Sequence, residues 1–223
     1  ARIQSYVDQA FREEFFHVGP EDRPEYNGTQ LIHARVIASY LRQLLRHDLA
    51  YAPFRMEGME LRVRETVEVR TALGRLRINL GGTIDRLDRK GDTLRIVDYK
   101  TGGTPKSPED IAQLFTPAPN RPDYILQTFL YASIICRSHK YQAHVAPALL
   151  YIHKAASADY SPVIEMGPPR SKAPVTDFAA YEEEFRARLR SLLEEIFSAD
   201  IPFTQTEDEK RCAFCDYRGL CRR

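Results

Sequence analysis

The sequence predicts an α/β fold in which a central mixed β-sheet is flanked by helices. Apolar residues recur every three or four positions in several segments, which predicts helices over 3–16, 30–48, 123–138 and 178–196 and a short one over 109–115. Alternating or continuous apolar runs bounded by Gly predict strands over 57–70, 74–81, 82–90, 93–99 and 143–153. This order of helices, a strand meander, a helix, a strand and a helix indicates a mixed sheet covered by helices.

The N-terminal part is predicted to form two amphipathic helices joined by a loop. The first has apolar residues at helical spacing, namely Ile3, Val7, Phe11 and Phe15. Residues 17–28 contain the Pro and Gly signals of a loop. The second helix has one apolar stripe made of Ile37, Tyr40, Leu41 and Leu44.

The side chains of the predicted strands indicate different degrees of burial. Over 57–70 apolar residues such as Leu61 and Val63 alternate with charged neighbours, as in a half-buried strand. Ile96 and Val97 are adjacent, so we expect strand 93–99 to be covered on both faces. Pro147 cannot donate a ladder hydrogen bond, which indicates an edge or a bulge in the strand over 143–153.

The composition excludes several classes of protein. The chain has 223 residues, 43% of them hydrophobic and 28% charged, which is the composition of a globular domain and not of a disordered chain. No apolar run approaches the roughly 18 residues of a membrane span. The net charge is +1, so the overall charge is not that of a strongly basic nucleic-acid-binding protein. Local basic patches on the surface are compatible with this value.

One hairpin concentrates the residues that indicate chemistry. Gly91-Asp92 between two strand-like runs predicts a two-residue type II′ turn, and this register places Asp85 directly opposite Asp98. Two carboxylates about 5 Å apart repel by about 3 kcal/mol at an effective dielectric of about 20. A divalent cation with hard oxygen ligands, Mg²⁺ or Mn²⁺, would compensate them. Lys100 shares the strand face of Asp98 and could position or deprotonate a water. The alternative is a solvated hairpin with an ordinary Asp–Lys ion pair.

The segments Gly82-Thr-Ile-Asp-Arg and Ile-Val-Asp-Tyr-Lys-Thr-Gly102 resemble the active-site hairpin of the PD-(D/E)XK nuclease superfamily. Within it they are most similar to the RecB-like branch, including AddB-like exonuclease domains. The resemblance implies a restriction-endonuclease-like core. It also implies that Asp85, Asp98 and the carbonyl of Tyr99 bind the metal and that Lys100 is the catalytic lysine.

Two further positions fit the same branch. Gln127 and Tyr131 match its Gln-x-x-x-Tyr motif, and the i, i+4 spacing places both on one helix face. The resemblance implies that this pair acts at the metal cleft or on the DNA backbone. His33 matches the metal-binding His that the branch carries on an upstream helix. We expect His33 to point inward, because it lies on the apolar stripe of the second helix; a lone His there is more often a core residue than a ligand.

Three of the four Cys lie at the C-terminus, at Cys212, Cys215 and Cys221. This C-x₂-C-x₅-C spacing suggests zinc or an iron–sulfur cluster in a reducing compartment. Several RecB-like nucleases hold a [4Fe–4S] cluster with three such Cys and a fourth far upstream, so the resemblance implies this cluster in the full-length protein. Here the only other cysteine is Cys136, which we expect to be a buried structural thiol. Zinc completed by another ligand and a metal-free tail remain alternatives.

Together these features predict a Mg²⁺- or Mn²⁺-dependent deoxyribonuclease. The RecB-like resemblance implies an exonuclease, whereas the residues themselves leave exo- and endonuclease as alternatives. We expect a helix and loop over 1–27 that continue from an upstream region, a nuclease domain over 28–203 and a Cys-bearing tail over 204–223. The RecB-like context implies processing of DNA ends in recombination and repair beside a helicase, in the cytoplasm and without a membrane. The alternative is a nuclease-like DNA-binding or structural module without turnover.

Overall fold

The computed structural model describes residues 2–72, 74–119, 121–157 and 159–222. The helices are α1 (Arg2–Ala10), α2 (Gly28–Tyr51), α3 (Ala112–Phe115), α4 (Asp123–Arg137), α5 (Ala179–Ile196), α6 (Glu209–Cys212) and α7 (Arg218–Cys221). A π-helical turn over Phe11–Phe15 extends α1, and a 3₁₀ turn covers Ile152–Lys154. Among the described residues, no helix has the length and apolar content to cross a membrane.

The strands form a four-stranded mixed sheet and a separate small hairpin. The sheet contains β1 (Arg55–Thr71), β2 (Gly74–Lys90), β3 (Thr93–Lys100) and β4 (His144–Tyr151) in the order β1-β2-β3-β4. The hairpin pairs β5 (Glu165–Met166) with β6 (Ala173–Pro174). β4 is an edge strand, which confirms the expectation from Pro147. The predicted sheet flanked by helices is therefore confirmed.

The two strands predicted over 74–81 and 82–90 are one continuous strand, β2. Gly81 and Gly82, at the predicted boundary between the two strands, pair with Arg64 and Val63 on β1 without a break in register. Glycine weakens a strand but does not end it when a neighbouring strand continues alongside. Strand β3 is buried from Leu94 to Asp98, which confirms that both of its faces are covered.

The chain forms two compact units. The first comprises Ala1–Phe54, Tyr99–Thr104 and Leu150–Pro162. In it α1 packs against α2 through Val7, Ala34 and Ala38. The predicted apolar stripe of α2 is only partly its buried face: Ile37 is 41% exposed, whereas Leu41 packs against the cluster of Val7, Ala34 and Ala38. The small side chains of Ala34 and Ala38 let α1 approach closely, and this contact selects the buried face.

The second unit comprises Arg55–Asp98, Pro105–Leu149 and Val163–Arg223. Here α4 and α5 pack against β1 and against each other. Glu65 of β1 is the polar clamp of this layer: Arg186 of α5 donates to both of its carboxylate oxygens at 2.9 Å, and Arg137 of α4 donates at 3.0 Å. Arg186 also donates to Ser133 Oγ at 3.0 Å, so α4, α5 and β1 share one hydrogen-bond network.

Candidate active site

The β2–β3 hairpin has the register that the sequence predicts. Lys90 pairs with Thr93, and the pairing continues regularly to Arg86 and Val97. Gly91 has a φ of +58°, the left-handed conformation that the first position of a type II′ turn requires. One further step in the same register would place Asp85 opposite Asp98.

The two facing acids differ in exposure, and their chemistry fits a hard divalent cation. Asp98 is 4% exposed, and Asp85 is half-buried. Facing positions on antiparallel strands have Cβ atoms about 5 Å apart, which corresponds to a repulsion of about 3 kcal/mol at an effective dielectric of about 20. Carboxylate oxygens are the preferred ligands of Mg²⁺ and Mn²⁺, so the donor set fits such an ion. Lys100 ends β3 two residues after Asp98 and is half-buried.

The Gln/Tyr helix α4 packs directly onto β2 at Gly82. Gln127 Nε2 donates to Tyr131 Oη at 3.0 Å on α4, so the i, i+4 pair acts as one unit. Tyr131 is 4% exposed and lies over Gly82. A Cβ at Gly82 would lie 2.5 Å from Tyr131 Oη, 2.9 Å from Cε1 and 3.0 Å from Cζ. Gly82 precedes Asp85 by three residues, so strand alternation points Asp85 to the face of β2 opposite the one that Tyr131 covers.

A sequence comparison identifies the family of this chain. A sequence model of the PD-(D/E)XK nuclease superfamily matches residues 1–222. The chain belongs to the PD-(D/E)XK nuclease superfamily. No curated protein matches the sequence significantly.

The close contact between Gly82 and Tyr131 predicts that a larger residue at position 82 destabilises the protein. Gly82→Ala is expected to destabilise the protein by about 1–3 kcal/mol, because the buried Tyr131 ring must move to admit a methyl group. Cleavage activity should fall with it, since the Gln127–Tyr131 unit shifts. The measurement is denaturant unfolding together with a DNA cleavage assay.

Gly58→Ala is the matched control for this test. Gly58 lies on the neighbouring strand β1, and a Cβ there meets only Leu61 atoms at 3.5–3.9 Å. Gly82→Ala combined with Tyr131→Phe removes the closest contact and should recover part of the lost stability. A Gly82→Ala protein as stable and active as Gly58→Ala would contradict the packing described here.

The nuclease hairpin also holds a buried ion cluster that sequence reasoning missed. Asp88 is fully buried and accepts from Arg86 Nε at 2.9 Å and from Arg95 Nε and Nη2 at 3.2 and 2.9 Å. Arg86 and Arg95 are only 2% and 4% exposed. Asp88 and Arg95 are cross-strand partners. The hairpin register that the sequence predicts contains the signal that could have found this pair, whereas the burial of the cluster has no signal in the sequence.

His33 does not point inward, so that expectation is wrong: its side chain is exposed on α2. It lies off the face formed by Ala34 and Ala38, which is the face that α1 covers. Tyr99 is half-buried on β3. Among the described residues, no three His, Cys, Asp or Glu side chains lie close enough together to hold a metal ion. The roles of His33 and of the Tyr99 carbonyl as ligands stay predictions.

The three cysteines in the described part of the C-terminal tail do not form a metal-binding group. Cys215 is exposed, Cys212 and Cys221 are partly buried, and the three form no metal-binding group. The described residues therefore contain no assembled [4Fe–4S] or zinc site, and the cluster in the full-length protein stays a prediction. Cys136 on α4 is half-buried rather than buried. Burial, with the nearby carboxylates of Glu182 and Asp177, raises the pKa of Cys136 to about 12, so its thiol stays protonated and fits a structural role.

Proposed function

We propose that this chain is a Mg²⁺- or Mn²⁺-dependent deoxyribonuclease of the RecB-like and AddB-like branch, and specifically an exonuclease. The observation that carries the proposal is the β2–β3 hairpin. Its pairing runs from Lys90–Thr93 to Arg86–Val97, and one further step in this register would set Asp85 opposite Asp98, with Lys100 two residues further along β3. The superfamily match supports a nuclease, and the motif resemblance supports the branch and the metal.

Each proposed site residue has its own role in the reaction. Asp85 and Asp98 would bind the cation, with the Tyr99 carbonyl and His33 as further proposed ligands. When bound, the cation supplies charge stabilisation for a phosphoryl oxygen and a more acidic water. Lys100 would hold or accept a proton at the attacking water, or neutralise the charge that develops on the phosphoryl oxygens. Gln127 and Tyr131, joined by their 3.0 Å hydrogen bond, would steady the DNA backbone or the lysine.

The test is cleavage of linear DNA with Mn²⁺, comparing the wild type with Lys100→Ala. We expect Lys100→Ala to lower the rate about 10²–10⁴-fold, the usual contribution of a positioned proton-transfer group. Lys90→Ala is the matched control, because Lys90 is an exposed lysine in the same hairpin. Equal activity of the two variants would overturn the role of Lys100. Closed circular DNA, which has no ends, should remain uncut if the enzyme is an exonuclease.

Lys100→Arg separates the two possible roles of the lysine. Arginine keeps the positive charge but does not release a proton at neutral pH. Retained activity would indicate charge stabilisation, and lost activity would indicate proton transfer. A wild-type protein that binds DNA but cleaves neither linear nor circular DNA with Mg²⁺ or Mn²⁺ would be the nuclease-like module without turnover.

The wider context is proposed on the motif resemblance alone. We propose that the nuclease processes DNA ends in recombination and repair in the cytoplasm, beside a helicase subunit or a helicase-like region of the same protein. In the full-length protein an upstream Cys would join Cys212, Cys215 and Cys221 around a [4Fe–4S] cluster. Anaerobic purification of the full-length protein checks both points, through iron and sulfide content and through DNA-dependent ATP hydrolysis.

A further inference from the structure

The two-stranded ribbon formed by β1 and β2 extends well beyond the part of β2 that pairs with β3. Each strand has 17 residues, and their pairing runs from Arg55–Arg89 to Thr71–Gly74. The described pairing of β3 with β2 covers only Arg86 to Lys90. The rest of the ribbon is two-stranded, and its two faces differ completely in chemistry.

One face of the ribbon is apolar and covered by helices. Val67 and Val69 pack against Leu193 of α5, together with Ile78 and Leu80 of β2. Glu65, on the same face, is the clamp that binds Arg186 and Arg137. Side chains alternate along a strand, so the intervening residues must point to the opposite face.

The opposite face is exposed and basic. A hydrogen bond from Thr66 Oγ1 to Asn79 Oδ1 at 2.9 Å shows that β1 and β2 present these residues on the same side. The exposed residues of this face are Arg62, Arg64, Thr66, Glu68 and Arg70 on β1 and Arg75, Arg77 and Asn79 on β2. The acid among them, Glu68, is engaged by Arg75 at 3.1 Å. The face therefore carries an excess of positive charge.

Four of these arginines, Arg62, Arg64, Arg70 and Arg77, are available for an anionic partner, and three of them lie on the part of the ribbon nearer to Asp85. These three, Arg62, Arg64 and Arg77, are exposed and, like Arg70, make no ion pair with another residue in the described part of the chain. Arg62 and Arg64 lie opposite Thr83 and Gly81, which are small and leave space beside the guanidinium groups. Like charges two residues apart on one strand face are about 7 Å apart and repel, and a polyanion would relieve this repulsion.

The basic face leads to the facing carboxylates. Thr83 follows Gly81 on this face, and Asp85 follows Thr83, because alternate residues share one side of a strand. From Arg77 to Asp85 is eight residues, or about 26 Å at about 3.3 Å per residue. That distance corresponds to about eight base pairs of duplex at about 3.4 Å each.

We propose that the arginine face, defined by Arg62, Arg64 and Arg77, binds the phosphate backbone of DNA and leads it to the Asp85–Asp98 pair. This inference rests on the proposed nuclease function and adds to it the surface that holds the substrate. Guanidinium groups bind phosphate through paired N–H donors, and such contacts position DNA without reading its sequence. The arginine face is therefore a sequence-independent surface.

The test measures DNA binding by the full chain in the absence of metal, by fluorescence anisotropy. The triple variant Arg62→Gln, Arg64→Gln, Arg77→Gln should bind a 20-base-pair duplex about 10²-fold more weakly at about 0.1 M salt. Its slope of log affinity against log salt should be smaller by about 2.7, because each phosphate that is no longer neutralised lowers the slope by about 0.9. The triple Arg→Lys variant should keep most of the slope, because lysine keeps the charge.

Two comparisons make the result specific. The control variant Arg170→Gln, Lys172→Gln, Lys210→Gln removes the same charge from exposed positions on other segments and should leave the wild-type salt slope unchanged. Wild type should bind a duplex of about 12 base pairs better than one of about 6 base pairs, because only the longer one reaches Arg77. The arginine variant should lose this length preference.

The outcomes separate this proposal from the nuclease function. A triple Arg→Gln variant with wild-type DNA affinity and salt slope would overturn the arginine face, even if Lys100-dependent cleavage is found. Loss of binding to polyglutamate with unchanged DNA binding would also overturn it, in favour of a protein-docking surface. Arginine-dependent DNA binding without any cleavage would support the surface and refute the nuclease function.

Discussion

Asp98→Asn is expected to reduce DNA cleavage by about 10³-fold or more without unfolding the protein. Asparagine keeps the size of the side chain but removes one of the two facing negative charges. A bound metal contributes several kcal/mol to phosphoryl transfer, and each 1.36 kcal/mol corresponds to about tenfold in rate. The measurement is single-turnover cleavage of end-labelled linear DNA with Mn²⁺.

A second readout of Asp98→Asn does not depend on activity. If Asp85 and Asp98 bind the cation, Mn²⁺ at about 100 times its Kd should stabilise the wild type by about 2.7 kcal/mol. For a chain of this size that is a rise of roughly 5–10 °C in Tm. The variant should lose most of this metal-induced rise.

Asp92→Asn is the control for this comparison. It makes the same chemical change in the same hairpin, at the exposed turn residue that follows Gly91. It should keep both the wild-type rate and the metal-induced rise in Tm. The assignment of Asp98 as a ligand would be wrong if Asp98→Asn and Asp92→Asn behaved alike in both assays.

Asp88→Asn is expected to have the largest effect on stability. Asp88 is fully buried between Arg86 and Arg95, which are themselves 2% and 4% exposed. Removing its charge takes away a carboxylate that both buried guanidinium groups contact, and breaking a buried ion pair in this way costs about 3–5 kcal/mol. Urea unfolding at neutral pH should show this loss as a lower midpoint with an unchanged m-value.

Arg95→Met tests the electrostatic origin of that loss. In the Asp88→Asn background it removes one excess buried cation, so the double variant should lose less than the sum of the two single variants. Asp92→Asn again serves as the exposed control and should change stability by less than about 0.5 kcal/mol. A change of that small size for Asp88→Asn would mean that the two arginines find their counter-charge elsewhere.

The local parts of the site were predictable because they depend on nearest neighbours in the chain. The type II′ turn at Gly91 determines which residues of β2 and β3 face each other, and so pairs Asp88 with Arg95. The same register, continued past Arg86 and Val97, would pair Asp85 with Asp98. The spacing of Gln127 and Tyr131 on one helix is equally local. The length of β3 and the burial of both its faces also followed from its continuous apolar run.

The errors arose where a second element decides which face is buried. His33 was expected inside because it shares a stripe with larger apolar residues, but α1 packs on Ala34 and Ala38 instead. The join at Gly81–Gly82 was expected to interrupt β2, but β1 pairs along its whole length. The contact between Gly82 and Tyr131 joins residues far apart in the sequence, so no local pattern contains it.

The sequence by itself predicted the α/β nuclease fold of this chain and the register of the β2–β3 hairpin, whose continuation would set Asp85 opposite Asp98. Only the tertiary structure decided which of its charges are buried. Arg86 and Arg95 are enclosed around Asp88, whereas Arg62, Arg64 and Arg77 remain at the surface. The physical reason is that α4 and α5 cover one face of the β1–β2 ribbon and leave the other open. Strand alternation sorts the residues into two faces but does not say which face the helices will cover.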